Sequence, residues 1–261
     1  MPTIPPGAPL HYTLRGRSGP AVLLLHGLGS SSTDWPEQQA ALEACYRVVA
    51  VDLPGHGRSA LPGGRLTIER MACDVGSVLT SLDAGPAHVV GLSLGACVGL
   101  RLALAMPACV RSLTLINPFA RLQLAGPGDV ARLALRIVLL GTAPRSAMAA
   151  HVAGRLFPWP EQRGLYEAAV ASLAATSRRA YFAVMRALAR FDARGQVAAI
   201  RHPTLIVAGD RDTSVPLAAK LALARAIPRA RLLVVPGSGH ATPHDRADVF
   251  NRAILEFLSA H

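Results

Sequence analysis

Six short apolar runs constrain this chain more than any other feature: AVLLLHG (21–27), YRVVAVDL (46–53), HVVGL (88–92), VRSLTLINP (110–118), TLIVAGD (204–210) and ARLLVVPG (230–237). None alternates apolar with polar residues, so each needs cover on both faces. That is the property of strands in a parallel sheet held between helices. Helical patterns fall between the runs, at 36–44, 67–83, 94–106, 214–227 and 245–259. The alternation predicts an α/β fold with an open, doubly wound, mostly parallel sheet. HYTLRGRSG (11–19) predicts one earlier, antiparallel strand at the edge.

The alternation lapses after Asn117 and resumes near Gln196. ARLALRIVLLG, RSAMAAHVAGRLF and SRRAYFAVMRALARF in that stretch carry helical patterns rich in arginine. We therefore expect a core of 1–118 and 197–261, with a helical cap, 119–196, inserted between two strands. Within 121–195 stand 11 arginines against four acids (Asp129, Glu161, Glu167, Asp192), so about +7 of the net +11 lies there. A packed cap with solvated arginine faces accounts for such a bias. A basic surface turned toward substrate is the other reading. With 261 residues, 51% of them hydrophobic, the chain fits one large core rather than two domains.

Other function classes find little support. The basic residues form no block and do not interleave with aromatics, so nucleic-acid binding is not expected. No uncharged stretch is long enough to span a membrane. The first sixteen residues lack the basic and apolar regions of a secretory leader, so a cytoplasmic location is expected. Cys45, Cys73, Cys97 and Cys109 form no CxxC pair and sit in apolar settings, as buried free thiols would. No metal site is readable from them.

One serine stands out against this apolar background. GLSLG (91–95) fits G-x-S-x-G directly between a predicted strand and a predicted helix. A sharp strand-to-helix turn there strains Ser93 and lifts its hydroxyl beyond the sheet edge, beside a helix N-terminus that favours negative charge. Side chains in place of Gly91 and Gly95 would collide with the neighbouring strand and helix. A serine between glycines is by itself often only a tight turn. As a nucleophile it needs a base. His240 follows the last predicted strand, at the same end of the sheet. The base needs an acid to hold its tautomer. Asp210 and Asp212 both follow the penultimate strand. Asp210 reads as a turn or capping group at the strand end, and Asp212 as the residue able to reach His240. The order Ser…Asp…His is then satisfied.

These segments resemble the α/β-hydrolase fold superfamily. The resemblance spans about 20–258 and rests on HGLGSSSTDW (26–35), DLPGHGRS (52–59), GLSLGA (91–96), GDRDTSVP (209–216) and PGSGHATPHD (236–245). It implies Ser93 as nucleophile, Asp212 as acid, His240 as base and a mobile helical cap. An oxyanion needs two backbone donors. Leu94, following the nucleophile, supplies one N–H, and by resemblance Leu28 supplies the other. His26 and His56 read as structural, fixing a loop and a turn. A serine at the elbow argues against epoxide and haloalkane hydrolysis, which the superfamily performs with aspartate.

GLSLGA with a small cap is similar to 3-oxoadipate enol-lactonases and to small carboxylesterases, although Ala96 stands where glycine is more usual. The expectation is cleavage of a carboxylic ester, lactone or related acyl bond through an acyl-enzyme, with no cofactor and no metal. The substrate is expected to be a small molecule, and the arginine-rich cap suits a carboxylate-bearing one or an acidic acyl-carrier protein. Carbon–carbon bond hydrolysis or cofactor-free perhydrolysis on the same triad is the alternative. A non-catalytic binding protein on this fold is the third reading.

Overall fold

The computed structural model describes residues 9–122 and 126–261. Half of the segment read for a leader, residues 1–8, lies outside them. Among the described residues seven strands form one sheet: β1 (Tyr12–Arg15), β2 (Ala21–Leu25), β3 (Arg47–Val51), β4 (Ala87–Leu92), β5 (Val110–Ile116), β6 (Thr204–Gly209) and β7 (Ala230–Val235). Their order is β1-β3-β2-β4-β5-β6-β7. β1 pairs antiparallel with β3 and every other pairing is parallel. The six apolar runs and the antiparallel edge strand are all present; β4 ends with its run, and the other five parallel strands stop a residue or two before theirs do.

The helices are α1 (Pro36–Leu42), α2 (Ile68–Ser81), α3 (Leu94–Ala105), α4 (Pro127–Thr142), α5 (Arg145–Leu156), α6 (Arg163–Ala175), α7 (Arg178–Arg190), α8 (Leu217–Ala226), α9 (Thr242–Asp245) and α10 (Ala247–Ser259). Side chains alternate across the strands, and both faces are covered. Leu23, Leu25, Val49, Val51 and Val89 pack on one face with residues of α2, α3 and α8. Val22, Leu24, Val48, Ala50 and Val90 pack on the other with α1 and α10. Continuous hydrophobicity in sequence is thus two alternating sets, one per face.

Among the described residues between β5 and β6 lie four helices, α4 to α7. They gather their own small apolar cluster around Leu140, Met148, Val152, Leu173 and Tyr181. The sequence reading passes over α6, whose RGLYEAAVASLAA carries weak amphipathicity and has only Leu173 buried. Among the described residues no helix is long and apolar enough to cross a membrane.

The cysteines require a correction. All four are free, but only Cys97 is buried; Cys45 is exposed, and Cys73 and Cys109 are half-buried. Cys45 lies in the turn after α1, where its neighbours Leu42 and Tyr46 take the core positions instead.

Candidate active site

The C-terminal ends of the parallel strands meet along one edge, the usual place for a site in an open α/β sheet. At the end of β4 the chain turns sharply into α3. Ser93 sits at the turn with φ +53° and ψ −103°, a region that L-residues rarely occupy. Its backbone is tied down from both sides. Its N–H donates to Ile116 O at 2.9 Å, and its carbonyl accepts from Cys97 N at 3.1 Å. The flanking glycines have a steric reason. A Cβ on Gly91 would lie 2.4 Å from the Gly95 carbonyl, and one on Gly95 would lie 2.0 Å from Leu25 O in β2. Leu94 is the first residue of α3, so its amide belongs to the helix turn that has no intrahelical acceptor.

His240 and Asp212 come together across the loops that follow β7 and β6. His240 Nδ1 lies 2.9 Å from Asp212 Oδ2. Asp210, the other candidate, is exposed at the end of β6. Asp212 is held on its second oxygen by Ser214 N at 2.7 Å and Val215 N at 3.2 Å. Burial alone would push its carboxyl up. The charge and hydrogen bond of His240, with those of Lys220, outweigh burial and hold it below the usual carboxylate range.

Two further residues shape this corner, and the sequence reading missed both. Lys220, from α8, is fully buried and donates from Nζ to Asp212 Oδ2 at 2.8 Å. Burial lowers its ammonium against the opposing pull of Asp212. It is the only lysine in a chain otherwise using arginine, the one signal that could have flagged it. Asn117 follows β5 with φ +47°. Its Nδ2 donates to His240 O at 2.7 Å, and its Oδ1 accepts from Gly209 N at 3.0 Å. It therefore ties the two loops carrying Asp212 and His240 to the centre of the sheet. The His240 loop is braced again by Asp245, which accepts from Gly239 N at 2.6 Å and Ser238 Oγ at 2.8 Å.

Ser93, His240 and Leu28 all line one cavity of about 440 Å³, roofed by residues of α4 to α7. No hydrogen bond joins the Ser93 hydroxyl to His240 in this conformation. Among the described residues no group of three or more His, Cys, Asp or Glu side chains is placed to hold a metal ion.

A model of the α/β-hydrolase family matches residues 22–253. The chain belongs to the α/β-hydrolase family. RutD of Variovorax paradoxus (strain S110), provisionally named a carbamate hydrolase, is 38% identical over 96% of this chain and 96% of its own. A hydrolase from Pseudomonas aeruginosa PA01 is 33% identical, with a TM-score of 0.86 over 95% of this chain and 94% of its own. The enol-lactonase from Burkholderia xenovorans LB400 is 29% identical, with a TM-score of 0.88 over 97% of this chain and all of its own.

In this α/β hydrolase the two other conspicuous histidines serve the backbone. His26 accepts from Leu53 N at 2.9 Å through Nε2, while its Nδ1 meets Gly27 O at 2.7 Å. It thereby sets the loop that leads to Leu28. Burial lowers the His26 pKa to about 4 and that of His56 to about 3, so both stay neutral. Asp52 organises the DLPGHGRS turn by accepting from Ser32 N at 2.6 Å and Arg58 N at 2.8 Å.

Proposed function

We propose that this hydrolase cleaves an ester, lactone or related acyl bond through an acyl-enzyme on Ser93. The observation that carries the reading is the His240–Asp212 contact at 2.9 Å beside a cavity that His240 shares with a strained serine. With Nδ1 engaged by Asp212, Nε2 of His240 is left to accept a proton. The serine–histidine hydrogen bond of such sites often forms only when substrate is bound.

His240 Nε2 takes the Ser93 proton as Oγ attacks the carbonyl carbon. The tetrahedral oxyanion is received by the N–H groups of Leu28 and Leu94, which is where charge develops. Collapse breaks the bond to the leaving oxygen, which departs with the proton from His240. Water then adds to the acyl-enzyme, giving its proton to His240, and collapse of the second oxyanion frees the acid and restores the serine. Asp212 holds the imidazole tautomer and stabilises its charged form throughout. Helices α4 to α7 act as the cap, closing the space in which a small acyl group lies. The enol-lactonase likeness supports a lactone or ester. The RutD likeness brings a carbamate carbonyl within the same chemistry.

A fluorophosphonate probe tests this directly. Stoichiometric labelling of Ser93, seen by mass spectrometry and abolished in Ser93→Ala, is expected. The same variant should lose about 10⁴- to 10⁶-fold in kcat on a responsive ester. An inert serine in folded protein would point instead to a binding role.

A further inference from the structure

The roof of the cavity carries a cation with no counter-charge. On α4, Asp129, Arg132, Leu133, Arg136 and Ile137 all line the cavity. Their three- and four-residue spacing places them on one helix face. Arg132 is committed to Asp129. Arg155, from α5, donates to the carbonyl of Thr213 at 3.2 Å, tying the roof to the Asp212 loop. Arg186, from α7, also lines the cavity but is exposed, and like Arg155 it forms no ion pair among the described residues. Arg136 differs from these in having a guanidinium nitrogen shut off from solvent. Its Nη2 donates to the Tyr181 hydroxyl, and its guanidinium lies 5.0 Å from the centre of that ring. Its Nε is out of contact with solvent and has no hydrogen-bond partner. Among the described residues no carboxylate forms an ion pair with it.

Arg136 is half-buried, and a guanidinium with a solvent-inaccessible, unpartnered nitrogen and no counter-ion is costly unless something compensates it. Burial first, and the Arg155 charge second, lower its pKa to about 10, so it nonetheless stays charged at neutral pH. The acids that line the same cavity are already engaged: Asp129 by Arg132, and Asp34 by the hydroxyls of Ser30 and Ser172. The two contacts with Tyr181 hold the guanidinium in place, and its planar fork favours a two-oxygen acceptor over a point charge.

We propose that Arg136 is the anion-binding residue of this cavity, receiving a carboxylate that the substrate carries away from its scissile carbonyl. The inference rests on the serine-hydrolase reading and names its substrate class: small acyl compounds with a second, acidic end. The roof then selects substrate through charge, while the sheet edge performs the cleavage.

Monomethyl adipate and methyl hexanoate, equal in acyl carbon number and different in the terminal carboxylate, separate the outcomes. The wild-type protein should favour the acid by about 10- to 100-fold in kcat/KM, the range expected for a charged hydrogen bond. Arg136→Gln should remove most of that preference through KM. Arg136→Lys should restore only part of it, since a point charge replaces the fork. Adipate itself, titrated by calorimetry into wild-type and Arg136→Gln proteins of verified melting temperature, reads the same site without turnover. Equal turnover of both esters by the wild type, or adipate binding and ester preference unchanged in Arg136→Gln, would overturn the proposal. Should Ser93 resist the phosphonate and neither ester react, the hydrolase reading fails alone, and adipate binding still decides the role of Arg136.

Discussion

The sheet and the four helices above it are built to different tolerances. In the sheet, β2 and β4 are buried along their whole length, and a single methyl at Gly95 would strike the Leu25 carbonyl at 2.0 Å. In the roof, α4 buries only Leu140 and leaves Val130 and Val138 more than half exposed. A Cβ on Gly141 or Gly164 there would meet nothing within 4 Å. The difference teaches where precision is needed. The attack, proton transfer and oxyanion binding proposed above require atoms placed to fractions of an ångström, and the residues assigned to them lie on the packed sheet edge. Recognition of the proposed small acyl group tolerates a looser wall.

The harshest test of this contrast is Gly95→Ala. The new methyl overlaps backbone rather than a flexible side chain, so α3 must move away from β2 and carry Ser93 with it. We expect a loss of at least about 3 kcal/mol in urea denaturation, together with loss of phosphonate labelling. A folded, reactive Gly95→Ala protein would show that the turn is less constrained than its contacts indicate.

The next test is acid. The sheet region buries three neutral histidines: His26 and His88 with pKa lowered to about 4, and His56 to about 3, burial being the largest cause in each. Folding lowers these values, so the unfolded chain takes up the protons first. Stability is therefore full above about pH 6.5 and drains as pH falls toward 4, by about 1.4 kcal/mol per pH unit for each such group. Unfolding free energies at pH 7 and pH 5 should differ by a few kcal/mol in sum, and His56→Asn should flatten the slope. A slope unchanged by that substitution would remove His56 from the account.

How much of this was legible in sequence follows from the same contrast. Strands needing cover on both faces announce themselves as uninterrupted apolar runs, and GLSLG announces its turn because only glycine fits on either side of Ser93. Asp212 and His240 were legible because the strand before each is legible. Lys220 was hidden, since a lysine on a helix reads as solvated unless its carboxylate partner, eight residues earlier but in another loop, is already placed. Asn117 was hidden because its role lies in contacts with residues more than ninety positions away. Helix α6 was missed because a loosely buried helix has little reason to keep a strict apolar stripe.

A gentler test probes that hidden corner. Lys220 opposes the charge of Asp212, so under the proposed mechanism Lys220→Met should let the carboxylate stabilise protonated His240 more strongly. The acid limb of kcat/KM is then expected to move up by as much as about one pH unit, with Lys220→Arg restoring it in part. A profile that keeps its acid limb while only thermal stability falls would make Lys220 a structural residue alone.

The smallest effect, and the one that most sharpens the comparison, is Gly154→Ala in α5. Gly154 lies inside the helix, and its added methyl would stand 3.9 Å from Tyr166 Cε2, an ordinary contact with α6. Alanine removes backbone freedom from the unfolded chain and suits the helix, so a gain of about 0.5–1 kcal/mol is expected. The same change thus disrupts the sheet region at position 95 and strengthens the roof at 154. Calorimetry reads where the gain appears. If the roof melts with the sheet as one cooperative unit, the single transition shifts upward as a whole. If the roof opens first, only an early, smaller transition moves, and the loose wall over Ser93 is then a separate unit of stability.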